Sequence, residues 1–199
     1  MVPGATPLRH AVRAMAVGNP VFDGDGVLQR ARFLPSPNCD QRPVPGDISL
    51  LVIHSISLPP GVFCGAAIAD FFLNRLDHSA HPYFETLRQL QVSSHFLIGR
   101  SGALDQFVGC ELRAWHAGAS QWRDRVRCND FSIGIELEGT EDSGYTDAQY
   151  AELARLTFEI RERYAIADIA AHSEIAPGRK TDPGPSFDWV RYRSSIADT

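Results

Sequence analysis

The sequence predicts a mixed α/β (α+β) fold: a single domain with a central mixed β-sheet flanked by α-helices. Three observations carry this reading. Apolar runs of strand length recur along the chain, at least one long amphipathic helix stands among them, and strands and helices alternate without a strict βαβ rhythm. At 199 residues the chain suits one compact domain and is short for two.

Residues 1–27 differ from the rest of the chain. They hold Pro, Gly and Asp in "GNPVFDGDG" and show no sustained period, so they are expected to form a flexible N-terminal extension ahead of a domain spanning 28–199. Met15 offers a second candidate start within them. Ile48 to His54 is a near-continuous aliphatic run, as in a strand buried on both faces. The "LPPG" after it reads as a loop, and Val62 to Asn74 as an apolar helix. Ser93–Ile98 and Ala103–Val108 read as two strands joined by a turn at Arg100, Ser101 and Gly102. Ser132 to Glu138 alternates, with Ile133, Ile135 and Leu137 on one face and Gly134, Glu136 and Glu138 on the other.

The clearest helix runs from Asp147 to Tyr164. Thr146 and Gln149 have capping-box spacing, and Tyr150, Leu153, Leu156, Ile160 and Tyr164 form a core-facing stripe. A short strand, Asp168–Ala171, leads into His172. A final amphipathic helix starts near Ser186 and carries Trp189, Val190 and Ile196.

Composition excludes several functions. The formal net charge is −5 at pH 7, so no concentrated basic surface is available for nucleic acid. No apolar run approaches a membrane span, and Arg13 interrupts the nearest approach to a signal core, Ala11–Val17, so a cytoplasmic protein is expected. Cys39, Cys64, Cys110 and Cys128 are scattered without a CxxC pair and are expected to be reduced thiols. The sequence sets no oligomeric state.

His54 and His172 each end an apolar strand, where a side chain is held rigidly and can face a cleft. Asp182 lies ten residues after His172. Two imidazoles and one carboxylate form a three-ligand zinc set whose fourth position is open to water. A histidine at a strand end is equally suited to a structural hydrogen bond, so the pattern by itself leaves both readings open. His78 and His81 sit beside Pro82 in an expected exposed loop, His95 falls in a strand pattern as a core residue, His116 in "AWHAG" is placed to line a sugar cleft, and His10 lies in the extension. Lys180 precedes Asp182 by two residues, either facing the metal side as an oxyanion partner or solvated beside Arg179. Glu136 and Glu138 lie on the polar side of a buried strand. Alternation does not choose which is an acid–base group and which an ion-pair partner.

Five ordered segments, "SLLVIHSISLPPG", "RAWHAG", "CNDFSIGIELEGT", "YTDAQY" and "KTDPGPSFDW", resemble the AmpD amidases, the 1,6-anhydro-N-acetylmuramyl-L-alanine amidases of peptidoglycan recycling. These sit within the wider zinc amidase and peptidoglycan-recognition superfamily. The resemblance spans roughly Leu28 to Ile196. It implies a Zn2+ cofactor on His54, His172 and Asp182, catalytic roles for Glu136 and Lys180, and an anhydro-muropeptide substrate. It also implies substrate contacts from Trp115 and His116 along the muropeptide groove, and from Arg127 to a stem-peptide carboxylate. Where the family often has Asn after the first histidine this chain has Ser55, and where it often has Arg this chain has Gln91; Arg88 is the nearest candidate to replace that charge. Two other readings share the resemblance: an amidase on intact peptidoglycan, and a non-catalytic muropeptide-binding module. Recognition modules of the superfamily lack part of the zinc set that this chain retains. A generic zinc peptidase is the remaining alternative, although the chain carries no HExxH motif.

Overall fold

The computed structural model describes residues 21–197. The strands are β1 (Arg32–Phe33), β2 (Cys39–Gln41), β3 (Leu50–Ile56), β4 (Phe96–Ile98), β5 (Leu104–Gln106), β6 (Leu112–Ala114), β7 (Gln121–Trp122), β8 (Arg125–Val126), β9 (Ser132–Glu138) and β10 (Asp168–Ala171). The helices are α1 (Ala67–Phe72), α2 (Pro82–Glu85), α3 (Asp147–Arg163), α4 (His172–Ile175) and α5 (Trp189–Ser195). Six strands form one mixed sheet in the order β1-β5-β4-β9-β3-β10, and β2-β6 and β7-β8 are separate ribbons. Strands β4, β9, β3 and β10 run parallel, and β5 folds back antiparallel on β4 as the expected hairpin.

Period-2 alternation divides the central strands between two faces. Leu51, Ile53, Ile133, Ile135 and Leu137 pack with Leu153, Leu156 and Ile160 of α3 and with Tyr192 of α5. The intervening residues of β3, Leu50 and Val52, join a second core with Phe131, Ala170 and Ile175 on the opposite face. A third cluster, around Leu97 with Phe71, Phe72 and Phe107, extends that opposite layer. His54 and Glu136 share the parity of Val52 and Gly134, so the same alternation that seats α3 turns both away from it.

Helix α3 begins as expected: Thr146 Oγ1 accepts from Gln149 N at 3.1 Å, and Gln149 Oε1 accepts from Thr146 N at 3.0 Å. Gln149 is fully buried and its amide donates to the carbonyls of Ile98 and Glu138, so one cap also joins helix to sheet. Three expectations change. The helix expected over 62–74 is confined to Ala67–Phe72, because left-handed Cys64 (φ +63°) interrupts its start and left-handed Asn74 (φ +56°) closes it. The last helix begins at Trp189, where Asp188 accepts from Arg191 N, and it buries Tyr192 and Ile196 while Val190 is exposed. Phe22, within the expected extension, is buried edge-to-face against Tyr164 and bridges to Leu28, so the packed body includes residues 21–27. Residues 1–20, with Met15 and His10, lie outside the described residues. Among the described residues no helix is long and apolar enough to cross a membrane.

Candidate active site

The register of the sheet builds the site. In β3 and β9, His54 stands directly opposite Glu136, and Glu136 stands opposite Leu97 of β4. Ala171 pairs with Ile53, so His172, the next residue, arrives beside His54. Laterally paired residues of adjacent strands point to the same face, so two histidines and a glutamate fall in one row. The loop after α4 returns Asp182 to this row.

Three atoms converge there. His54 Nδ1 and His172 Nδ1 are 2.8 Å apart, His172 Nδ1 and Asp182 Oδ2 are 3.0 Å apart, and His54 Nδ1 and Asp182 Oδ2 are 3.4 Å apart. Both imidazoles are buried, and burial together with the neighbouring His172 pulls the His54 pKa down to about 4, so His54 is neutral at pH 7. His172 turns its Nε2 towards the carbonyl of Ala117 at 3.4 Å. A carbonyl only accepts, so a His172 tautomer that donates to it presents a bare Nδ1 to His54 and Asp182. Lone pairs crowded with a carboxylate oxygen at these separations repel one another unless a cation lies among them. Two imidazole nitrogens and one carboxylate oxygen suit zinc by donor type, and the longest edge of the triangle falls within the ~3.3–3.6 Å expected between ligands held ~2.0–2.2 Å from one tetrahedral ion, the other two edges being shorter. The described residues therefore fit a metal centre at His54, His172 and Asp182.

The same row separates the two glutamates. Glu138 accepts from the backbone N–H of Cys64 and of Arg100, so it clamps two loops to the end of β9. Glu136 is buried, and its Oε2 has no hydrogen-bond partner among the described residues. Burial, then the charge of Asp182, raises its pKa well above the ordinary carboxylate value, against the opposing charge of Lys180. A carboxyl in this state holds a proton more firmly, as a group that must accept and return one requires.

Glu136, His172, Lys180 and Asp182 line one cavity of about 670 Å³. Its lining includes the apolar Leu58, Phe71 and Leu90 with Tyr83, and the polar Thr140, Glu141, Arg179 and Lys180. Thr181 donates its hydroxyl proton to Glu141, which ties the segment holding Asp182 to the loop after β9. Among the described residues the Lys180 side chain has no ion pair or hydrogen bond. Ser55 also lines the cavity.

The structure does not bring Trp115 or Arg127 to the cavity lining. Trp115 Nε1 donates to Asp40, which Arg113 holds from across the β2-β6 ribbon. Arg127 is exposed, in a left-handed conformation, with Nε 3.3 Å from Asp130 Oδ2. Gln91 is exposed, and Arg88 pairs with Glu85 on the surface. His78 and His81 flank α2, where His81 accepts from Tyr83 N. His116 touches the cavity but is buried against His54, its Nδ1 2.8 Å from His54 Nε2.

Sequence reasoning missed two groups behind the site. Asn129 Oδ1 accepts from the backbone N–H of His116 and of Ala117, fixing the segment that backs the His54 and His172 imidazoles. The buried Arg42 guanidinium donates to the carbonyls of Asn129, Asp130, Ser132 and Cys110, binding the turn before β9 to β6. Neither position carries a local periodic signal, because each acts on backbone groups distant in sequence.

His95, fully buried as expected of a core residue, lies outside the metal row. Its Nδ1 accepts from Gly134 N and its Nε2 donates to the Leu112 carbonyl. Burial, then the charge of Arg42, lowers its pKa to about 3. A histidine so depressed binds fewer protons folded than unfolded below pH 6.5. Stability should therefore be complete above about pH 6.5 and fall between there and pH 3, by up to about 1.4 kcal/mol per pH unit from this group. Urea unfolding at pH 7 and pH 5 checks this, and a smaller loss of stability between those pH values in a His95→Gln variant than in wild type would assign the difference to this group.

A family model described as N-acetylmuramoyl-L-alanine amidase matches residues 44–185, a span that holds His54, Glu136, His172, Lys180 and Asp182. The 1,6-anhydro-N-acetylmuramyl-L-alanine amidase AmpD of Citrobacter freundii is 54% identical over 174 residues, covering 86% of this chain and 93% of that protein. A crystal structure of a selenomethionine AmpD derivative superposes with a TM-score of 0.84 at 54% identity, over 88% of this chain and 98% of that one. The amidase AmiD from E. coli, solved with anhydro-N-acetylmuramic acid-L-Ala-D-γ-Glu-L-Lys, is 32% identical with a TM-score of 0.56, over 78% of this chain and 60% of that one. With the family model spanning most of the folded body and His54, Glu136, His172 and Asp182 all inside it, this chain belongs to the N-acetylmuramoyl-L-alanine amidase family.

Proposed function

We propose that this protein is a zinc-dependent amidase that hydrolyses the amide between the lactyl group of (1,6-anhydro-)N-acetylmuramic acid and L-alanine in muropeptides. The observation that carries the reading is the convergence of three metal-facing atoms beside a buried glutamate oxygen that has no partner among the described residues. The 54% identity to an amidase named for this activity supports the anhydro-sugar preference, and a cytoplasmic role in cell-wall recycling is proposed with it.

Zinc on His54, His172 and Asp182 would supply a Lewis acid and lower the pKa of water towards about 7. Glu136 accepts the proton of the attacking water and returns it to the L-alanine nitrogen as the C–N bond breaks. Lys180, whose ammonium has no other partner among the described residues, stabilises the negative oxygen that develops from the amide carbonyl. The lining at Leu58, Phe71 and Tyr83 shields the reacting bond from bulk water. Trp115 and Arg127 are proposed to contact portions of the stem peptide that extend beyond the cavity.

The test is a mass-spectrometric assay on anhydro-muramyl-tripeptide, with chelator and with zinc restored. Free tripeptide and anhydro-muramic acid should form, vanish with chelation and return with zinc. Intact substrate with folded, zinc-loaded protein would overturn the reading.

A further inference from the structure

His116 has no nitrogen free for a sugar. Its Nδ1 lies 2.8 Å from His54 Nε2, and its Nε2 lies 3.1 Å from Ser132 Oγ. Ser132 Oγ in turn donates to the Cys128 carbonyl at 2.6 Å. That carbonyl fixes the direction of the whole chain. It has no proton to give, so the single hydroxyl proton of Ser132 is spent on it, and Ser132 Oγ must accept from His116. His116 therefore carries its proton on Nε2 and presents a bare Nδ1. His54 must then donate from Nε2, which leaves His54 Nδ1 bare and facing His172 Nδ1 and Asp182 Oδ2.

We propose that His116 and Ser132 are positioning residues that fix the tautomer and ring orientation of His54 and so present its Nδ1 to the metal; the inference rests on the zinc reading above. The arrangement extends beyond the pair. Asn129 holds His116 and Ala117 through adjacent backbone amides, and the Ala117 carbonyl lies 3.4 Å from His172 Nε2. One segment thus backs both imidazoles. Gly134 makes room for it: a Cβ there would lie 2.5–2.8 Å from the His116 ring atoms, so the glycine in β9 serves the relay by its missing side chain. Outer partners of this kind typically change metal affinity about 10- to 100-fold.

The experiment uses the full chain with zinc alone as ligand. Long-range proton–nitrogen NMR on metal-free protein reads the His54 tautomer, and chelator competition reads zinc affinity. Wild type should show His54 protonated on Nε2 before zinc is added. Ser132→Ala and His116→Leu should each weaken zinc by about 10- to 100-fold while the protein stays folded by circular dichroism, and Ser132→Ala should leave His54 in mixed tautomers. His116→Gln, whose amide can accept from His54 and donate to Ser132, should recover much of the affinity. Gly134→Ala, which keeps every group of the relay but displaces the ring, should weaken zinc as well. Unchanged zinc affinity in folded Ser132→Ala and His116→Leu, or His54 protonated on Nδ1 in metal-free wild type, would overturn the relay and leave the zinc centre standing. Wild type that binds no zinc would overturn the metal centre itself, and the tautomer measured on the metal-free protein would still report on the ordering of the ring.

Discussion

Glu136→Gln is expected to fold, to keep its zinc and to lose turnover by about 10²- to 10⁴-fold, the usual contribution of a positioned acid–base group. The substitution preserves the volume of a side chain packed in the sheet beside His54 and removes only its ability to exchange a proton. Because Glu136 Oε2 lacks a partner among the described residues and its charge is opposed by burial and by Asp182, the neutral amide should not lower stability. The measurement combines tripeptide release, bound zinc and thermal unfolding. Full turnover would remove Glu136 from the mechanism. Loss of zinc together with turnover would make it a supporting residue of the metal centre. Glu138→Gln is the matched control, and it should act through the Cys64 and Arg100 loops that Glu138 clamps, lowering stability rather than only turnover.

His172→Ala should release the metal. It takes away one of three convergent ligand atoms, so the loss of zinc affinity should exceed the ~10- to 100-fold expected for an outer partner, and amidase activity should disappear with it. Stability separates this outcome from simple unfolding. Zinc that binds only the native state raises the wild-type melting temperature by linkage, whereas His172→Ala should melt at the same temperature with and without zinc. Near-ultraviolet circular dichroism of the metal-free variant should remain native, because His172 packs at the end of β10 while the main core lies on the other face, between the sheet and α3. A folded variant that retained zinc at wild-type affinity would remove His172 from the ligand set.

Much of the fold was legible because the signals are local. Alternation over Ser132–Glu138 matches β9 residue for residue, Asp168–Ala171 matches β10, and the Thr146–Gln149 box marks the start of α3. Where local signals compete, reading failed: the apolar content of 62–74 suggested a longer helix than the left-handed backbone at Cys64 and Asn74 allows. The two-residue strands β1, β7 and β8 carry too few residues to show a period.

For the site, the sequence by itself determined the chemical inventory and the face. Its motifs name His54, His172 and Asp182, and strand parity puts Glu136 opposite the α3 side. Only the tertiary structure decided the rest. Parity is a property of one strand, but the row Leu97–Glu136–His54–His172 depends on the relative register of four strands that lie far apart in sequence. Register also separates Glu136, opposite His54, from Glu138, opposite Ile56 and bound to two loops. The place of His116 behind His54, rather than open in a groove, follows from a hydroxyl at Ser132 and a carbonyl at Cys128, groups whose hydrogen bonds are chosen by what folding brings within about 3 Å and by no pattern along the chain.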